Sequence, residues 1–246
     1  MYINCKGHLI NLSKPRVMGI LNVTPDSFYD GGKFQSDVDI LRQVEKMLTE
    51  GATFIDTGAY SSRPNASHIS EEDELSRLIP VIKLLSKEFP DILLSVDTFR
   101  SRVAAEGINA GASLINDISG GDMDHDMFET ISKLQVPYVI MHMVGTPQNM
   151  QENVHYEDLV RDIILSFSKK LFELRKLGVN DLIIDPGFGF SKTLDQNFEL
   201  LQKMQLFNTL KLPILVGLSR KSMLYKLLHT DASNALNATT SVNSIA

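Results

Sequence analysis

The chain has 246 residues, 43% of them hydrophobic and 22% charged, the proportions of a soluble globular protein with a sizeable core. A net charge of −6 argues against a general binder of nucleic acid or membrane surface, yet leaves room for an anionic substrate held by a local Arg/Lys cluster. With one cysteine, Cys5, no internal disulfide can form and a reducing, cytoplasmic setting is expected; no basic-plus-apolar leader and no apolar run of membrane-spanning length is read.

Residues 2–11 read as two short strands turning at Lys6-Gly7, a hairpin placed to plug the floor of a barrel. Seven apolar runs follow, each halting at small or polar residues. They are Val17 to Leu21 before Asn22, Phe54-Ile55 before Asp56, Leu93 to Val96 before Asp97, and Leu114-Ile115 before Asn116. Tyr138 to Met141 stops at His142, Leu182 to Ile184 at Asp185, and Ile214 to Val216 at Gly217, Ser219 and Lys221. Runs of Ile, Leu and Val at gaps of roughly 20 to 45 residues suit parallel strands covered on both faces, with helices between them.

The helical spacing falls first on Val38, Leu41, Val44 and Leu48, which share a face that ends near Gly51. A capping-box pattern, Ser70-Glu71-Glu72-Asp73, opens a second helix through Leu75, Leu78, Ile79, Ile82 and Leu85, where Pro80 should kink the helix or cost it one backbone bond. The strongest pattern covers 156–177, with Leu159, Ile163, Ile164, Phe167, Leu171 and Leu174 inward and Gly178 closing it; 194–207 form another. No linker divides the chain, so residues 1–246 are expected to form one α/β domain, a parallel barrel whose strand ends share one mouth.

The residues at that mouth carry recognisable chemistry. Asn22 to Phe28, with Thr24, Asp26, Ser27 and then Gly31-Gly32, is a polar connection suited to closing over a site, or an ordinary turn. In the next loop, Ser61-Ser62-Arg63-Pro64 offers a planar cationic fork for phosphate or carboxylate. One aspartate at a strand end often caps a helix; Asp97, Asn116 and Asp185 together offer donors and acceptors to the edge of a polar heterocycle. Asp56 and Asp117 read as supporting groups. Asp185-Pro186-Gly187-Phe188-Gly189-Phe190 lacks the third glycine of a dinucleotide fingerprint. Ser219, Arg220 and Lys221 follow the seventh run, where barrels of this kind frequently hold phosphate. The six histidines show no zinc spacing, and His142, between Met141 and Met143, reads as a packed residue. Asn22 provides one oxygen for Mg²⁺, an ion that keeps waters and takes further ligands from substrate phosphates.

Taken in order, Met18 to Asp30, Ser62-Arg63-Pro64, Ser95-Val96-Asp97-Thr98, Ile115-Asn116-Asp117, Asp185 to Phe190 and Ser219-Arg220-Lys221 closely resemble the dihydropteroate synthase family, the target of sulfonamide inhibitors. The resemblance implies a (β/α)₈ TIM barrel, usually a homodimer, in folate biosynthesis. It also implies a reaction: 6-hydroxymethyl-7,8-dihydropterin diphosphate condenses with 4-aminobenzoate to give 7,8-dihydropteroate and pyrophosphate. By the same resemblance Asp97, Asn116, Asp185 and Lys221 hold the pterin, with Ser219 beside them, and Asn22 (through Mg²⁺) and Arg63 engage the diphosphate. Phe28, Ser62, Pro64, Lys221 and Ser222 form the aminobenzoate pocket, and Asp97, Arg63, Lys221 and Asp26 assist catalysis.

Two departures stand out. Thr57-Gly58-Ala59-Tyr60-Ser61-Ser62-Arg63 replaces a commoner Gly-Gly-Glu-Ser-Thr-Arg form, and the chain stops at Asn243-Ser244-Ile245-Ala246, short of the family's eighth strand with its Arg-Val-His-Asp and last helix. A seven-stranded open barrel would expose two strand edges, so a missing C-terminal segment is expected. A methyltetrahydrofolate-dependent methyltransferase domain and a non-catalytic pterin binder are the competing readings.

Overall fold

The computed structural model describes residues 1–23, 37–61, 68–152 and 154–246. Strands β1 (Tyr2–Cys5) and β2 (His8–Asn11) pair antiparallel as the expected hairpin, turning at Lys6 and Gly7, both with positive φ. The chain then alternates strand and helix: β3 (Val17–Asn22), α1 (Asp37–Thr49), β4 (Ala52–Gly58), α2 (Glu71–Glu88), β5 (Leu93–Asp97), α3 (Ser101–Ala110), β6 (Leu114–Asp117), α4 (Met127–Leu134), β7 (Tyr138–Met141), α5 (Leu159–Lys176) and β8 (Leu182–Asp185). After these come α6 (Leu194–Gln202), a 3₁₀ helix (Met204–Leu210), α7 (Ser222–Leu227) and α8 (Leu236–Ile245). The six strands β3 to β8 pair in sequence order, all parallel, in the α/β barrel arrangement expected. Among the described residues no helix is long and apolar enough to cross a membrane.

Alternation along the strands sorts side chains into two layers. Ile55, Leu94, Val96, Ile115, Tyr138, Ile140, Leu182 and Ile184 point outward into one core with the helices. Phe54, Leu93, Leu114, Val139 and Ile183 point inward and pack with Ile3 and Cys5, so the hairpin does floor the barrel. Two residues further along each strand, the same inner face carries Asp56, Ser95, Asn116, Met141 and Asp185.

Several expectations need correction. Ile214 to Val216 is not a strand: it meets β8 through a single bridge, with Leu215 N–H donating to Ile184 O and Ile184 N–H to Pro213 O. Pro213 has no N–H to extend that ladder, and no strand among the described residues pairs the run's outer edge. The other edge strand, β3, leaves Val17 and Ile20 61% and 62% exposed. In α1 Val44 is buried and Leu41 and Leu48 pack half-buried against the core, but Val38 is exposed and Ile40 takes the inward place at the start of the helix. The helix over 194–207 ends at Gln202 and tightens into the 3₁₀ turn, and α5 starts at Leu159 behind its cap Asp158. Other expectations hold: α2 runs through Pro80, which has no N–H for one backbone bond, and Ser70 caps that helix by accepting from Asp73 N–H.

Candidate active site

Inward phase and strand ends bring Asp97, Asn116 and Asp185 to the C-terminal end of the barrel, with Asn22 half-buried at the end of β3. Asn116 Nδ2 donates to Asp56 Oδ2 at 2.9 Å, which fixes the amide from below. Gly58 sits beside Asp97, where a Cβ would stand 3.1 Å from Oδ2, so a side chain there would crowd the carboxylate. Burial, and then the carboxylates of Asp56, Glu74 and Asp117, push Asp97 well above the usual carboxylate range. Asp56 is raised by burial too, against the Ser95 hydroxyl and the Asn116 amide, which lower it.

Around Asp185 the loop is tightly held. Its Oδ1 accepts Gly187 N–H at 2.8 Å, and the Asn197 side chain accepts Gly189 N–H at 2.6 Å. Lys221, just before α7, reaches across so that Nζ donates to Phe188 O and lies 4.7 Å from the Phe190 ring centre, a cation–π contact. Burial raises Asp185 and lowers Lys221, and each is drawn back toward its charged form by the other. Ser222 is the first residue of α7, half-buried, while Ser219 is exposed.

Two features were not anticipated from the sequence. Lys192, 3% exposed, lies under the 187–190 loop, and its only signal is a lysine closing an otherwise glycine and aromatic run. Glu74, fully buried in the first turn of α2, accepts Thr98 Oγ1 at 2.7 Å and Arg100 at 2.5 Å. Arg100 also donates to Ile69 O at 2.7 Å and stacks near Tyr60 and Phe99, joining both flanks of the second loop to the end of β5. His142 is packed as expected; burial, then Lys192 and Lys170, hold its pKa down to about 2, so it stays neutral. Among the described residues no cluster of three His, Cys, Asp or Glu forms a metal site. Asp26, Phe28, Ser62, Arg63 and Pro64 lie outside the described residues.

Residues 18–246 match the family described as pterin binding enzyme. Dihydropteroate synthase of Haemophilus influenzae is 46% identical over 226 residues, covering 91% of this chain and 81% of that protein. The chain belongs to the dihydropteroate synthase family. It is accordingly a transferase of folate biosynthesis. The Folic acid synthesis protein fol1 of Pneumocystis carinii is 49% identical over 215 residues, 83% of this chain but 28% of that longer protein. The dihydropteroate synthase of Yersinia pestis in a sulfonamide drug complex superposes with a TM-score of 0.93 at 41% identity, covering all of this chain and 89% of that one. That of Xanthomonas albilineans with 7,8-dihydropteroate gives 0.87 at 32% identity, over 100% and 88%.

Proposed function

We propose that the barrel mouth joins the methylene carbon of 6-hydroxymethyl-7,8-dihydropterin diphosphate to the amine of 4-aminobenzoate. The C–O bond to the diphosphate breaks, the C–N bond forms, pyrophosphate departs and the amine's proton is released. The observation that supports this reading is that Asp97, Asn116 and Asp185 end β5, β6 and β8 on the inward face over an apolar floor, with Lys221 reaching to the loop after Asp185. Asp185 accepts from the pterin's amino and ring N–H groups and Lys221 donates to its carbonyl, as do the Asn116 amide and, beside them, Ser219.

The electron-rich dihydropterin expels the leaving group, leaving a cationic methylene that the amine attacks. No covalent nucleophile is needed; alignment and charge stabilisation do the chemistry. Asp97 suits this. Its ionised form is penalised by burial among other carboxylates, and positive charge developing beside it relieves that penalty. Asp26 would assist from the first loop. Arg63 and Asn22 take the diphosphate, and Phe28, Ser62, Pro64, Lys221 and Ser222 wall the aminobenzoate pocket that sulfonamides would occupy. Asn22 fits a Mg²⁺ site of the kind that has one protein oxygen and otherwise water and phosphate ligands; the bound ion would neutralise the leaving group. We also place the protein in the cytoplasm as a homodimer, consistent with a buried free thiol at Cys5 and exposed Leu227, Leu228 and Leu236.

Pyrophosphate release with both substrates tests the reaction directly, and its absence alongside tight pterin binding would favour a non-catalytic binder. Arg63→Ala and Lys221→Ala should each cost at least ~2–4 kcal/mol of transition-state stabilisation, by analogy with loss of one preorganised donor. Near-normal kcat/KM in both would overturn these roles.

A further inference from the structure

Lys192 is buried against the 187–190 loop, and its ammonium is surrounded by acceptors. Nζ donates to Gly187 O and Phe190 O at 3.0 Å each and to His142 O at 3.4 Å, with His142 Nδ1 at 3.2 Å. The same short loop touches two functional groups: Gly187 N–H binds Asp185, and Phe188 O and the Phe190 ring receive Lys221. The packing leaves no slack. A Cβ at Gly187 would stand 2.1 Å from His142 O and 3.3 Å from Lys192 Nζ.

We infer that Lys192 is a positioning residue for the pterin end of the site: by tying Gly187 and Phe190 to the end of β7, it fixes the loop that aims Asp185 and seats Lys221. The inference rests on the pterin-binding roles proposed above for those two residues. A buried ammonium is costly without compensation, and here the nearest charges are Asp185 and Lys221 while its hydrogen bonds go to loop carbonyls. A lysine kept only to fill space would be matched by an apolar side chain of the same length.

Lys192→Met keeps the length and removes the donors. Wild type and variant are titrated separately with 6-hydroxymethylpterin and with pyrophosphate plus Mg²⁺, and assayed for turnover. The expected result is pterin affinity at least tenfold weaker and a raised KM for 4-aminobenzoate, with pyrophosphate affinity within twofold of wild type. A smaller loss of pterin affinity, or parallel weakening of both ligands as general loosening would give, overturns the inference. Should Lys192→Met not fold, Lys192→Gln takes the same titrations under the same criteria. Failure of wild type to release pyrophosphate would instead sink the reaction proposed above, and the pterin titration would still judge Lys192.

Discussion

The turn after β6 and the turn after β8 are built from the same parts: a terminal aspartate, glycines at positive φ, and a lysine whose ammonium holds a turn carbonyl. In the first, Asp117 accepts Ser119 N–H and Oγ at 2.8 and 2.7 Å, Gly121 N–H at 2.8 Å and Tyr138 OH at 2.6 Å. Lys170 donates to Ser119 O at 3.1 Å and to the Asp122 carboxylate at 2.7 Å. In the second, Asp185 accepts one backbone N–H, and Lys192 has carbonyls and a neutral imidazole as partners. Strand phase separates them. Asp117 lies one residue past the inward Asn116 and so points toward the helices, where both its oxygens are used up; Asp185 points inward and keeps capacity for a ligand.

Replacing each aspartate by asparagine tests that contrast most severely. Asp185→Asn keeps an oxygen for Gly187 N–H but loses the charge facing Lys221; kcat/KM should fall ~10²–10³-fold while stability changes by less than about 1 kcal/mol. Asp117→Asn turns an amide N–H₂ toward buried donors and should cost about 2–4 kcal/mol of stability, with turnover per folded molecule unchanged. Denaturant titration and steady-state kinetics on both variants decide it. The division of roles fails if Asp117→Asn lowers kcat/KM as much as Asp185→Asn.

The glycines sharpen the same comparison at smaller magnitude. Gly121 and Gly187 have φ of +87° and +75°. A Cβ at Gly121 would meet the Phe128 ring at 2.3 Å, and a ring can swing aside; at Gly187 it would meet a backbone carbonyl, which cannot. Gly187→Ala should therefore cost about 3–5 kcal/mol and Gly121→Ala about 2 kcal/mol, both read by unfolding midpoints. Equal costs would mean that the β8 turn is no more rigid than its counterpart.

Much of this is legible in the sequence. Continuous apolar runs halting at Asp97, Asn116 and Asp185 place three polar groups at one mouth, since in a parallel barrel every such run ends at the same face. The run at 214–216 had the same composition but not the same structure, because a strand also needs partners, and partners are a property of the sheet. Lys192 and Glu74 were missed for a related reason. A lysine behind Phe190 and a glutamate behind Ser70 look like solvated charges in sequence, and only tertiary packing turns both into buried anchors. Phe28, by contrast, rests on family resemblance alone, and Arg63 on that resemblance together with its cationic fork in the second loop.

Lys192 also provides a pH test of the difference between the turns. Burial, assisted by Lys221 and opposed by Asp185, pulls its pKa from 10.5 to about 7. In the unfolded chain the proton stays on until pH nears 10.5, so between about 7 and that value the unfolded state binds more protons and folding stability rises with pH. Relative to Lys192→Met, wild type should gain up to about 1.4 kcal/mol per pH unit above pH 7, and the two curves should run parallel below it. Lys221, also held below its usual value, is present in both proteins and cancels to first order. Denaturant unfolding at pH 7, 8 and 9 measures the slope. Parallel curves throughout would mean that the loop carbonyls keep the Lys192 ammonium charged.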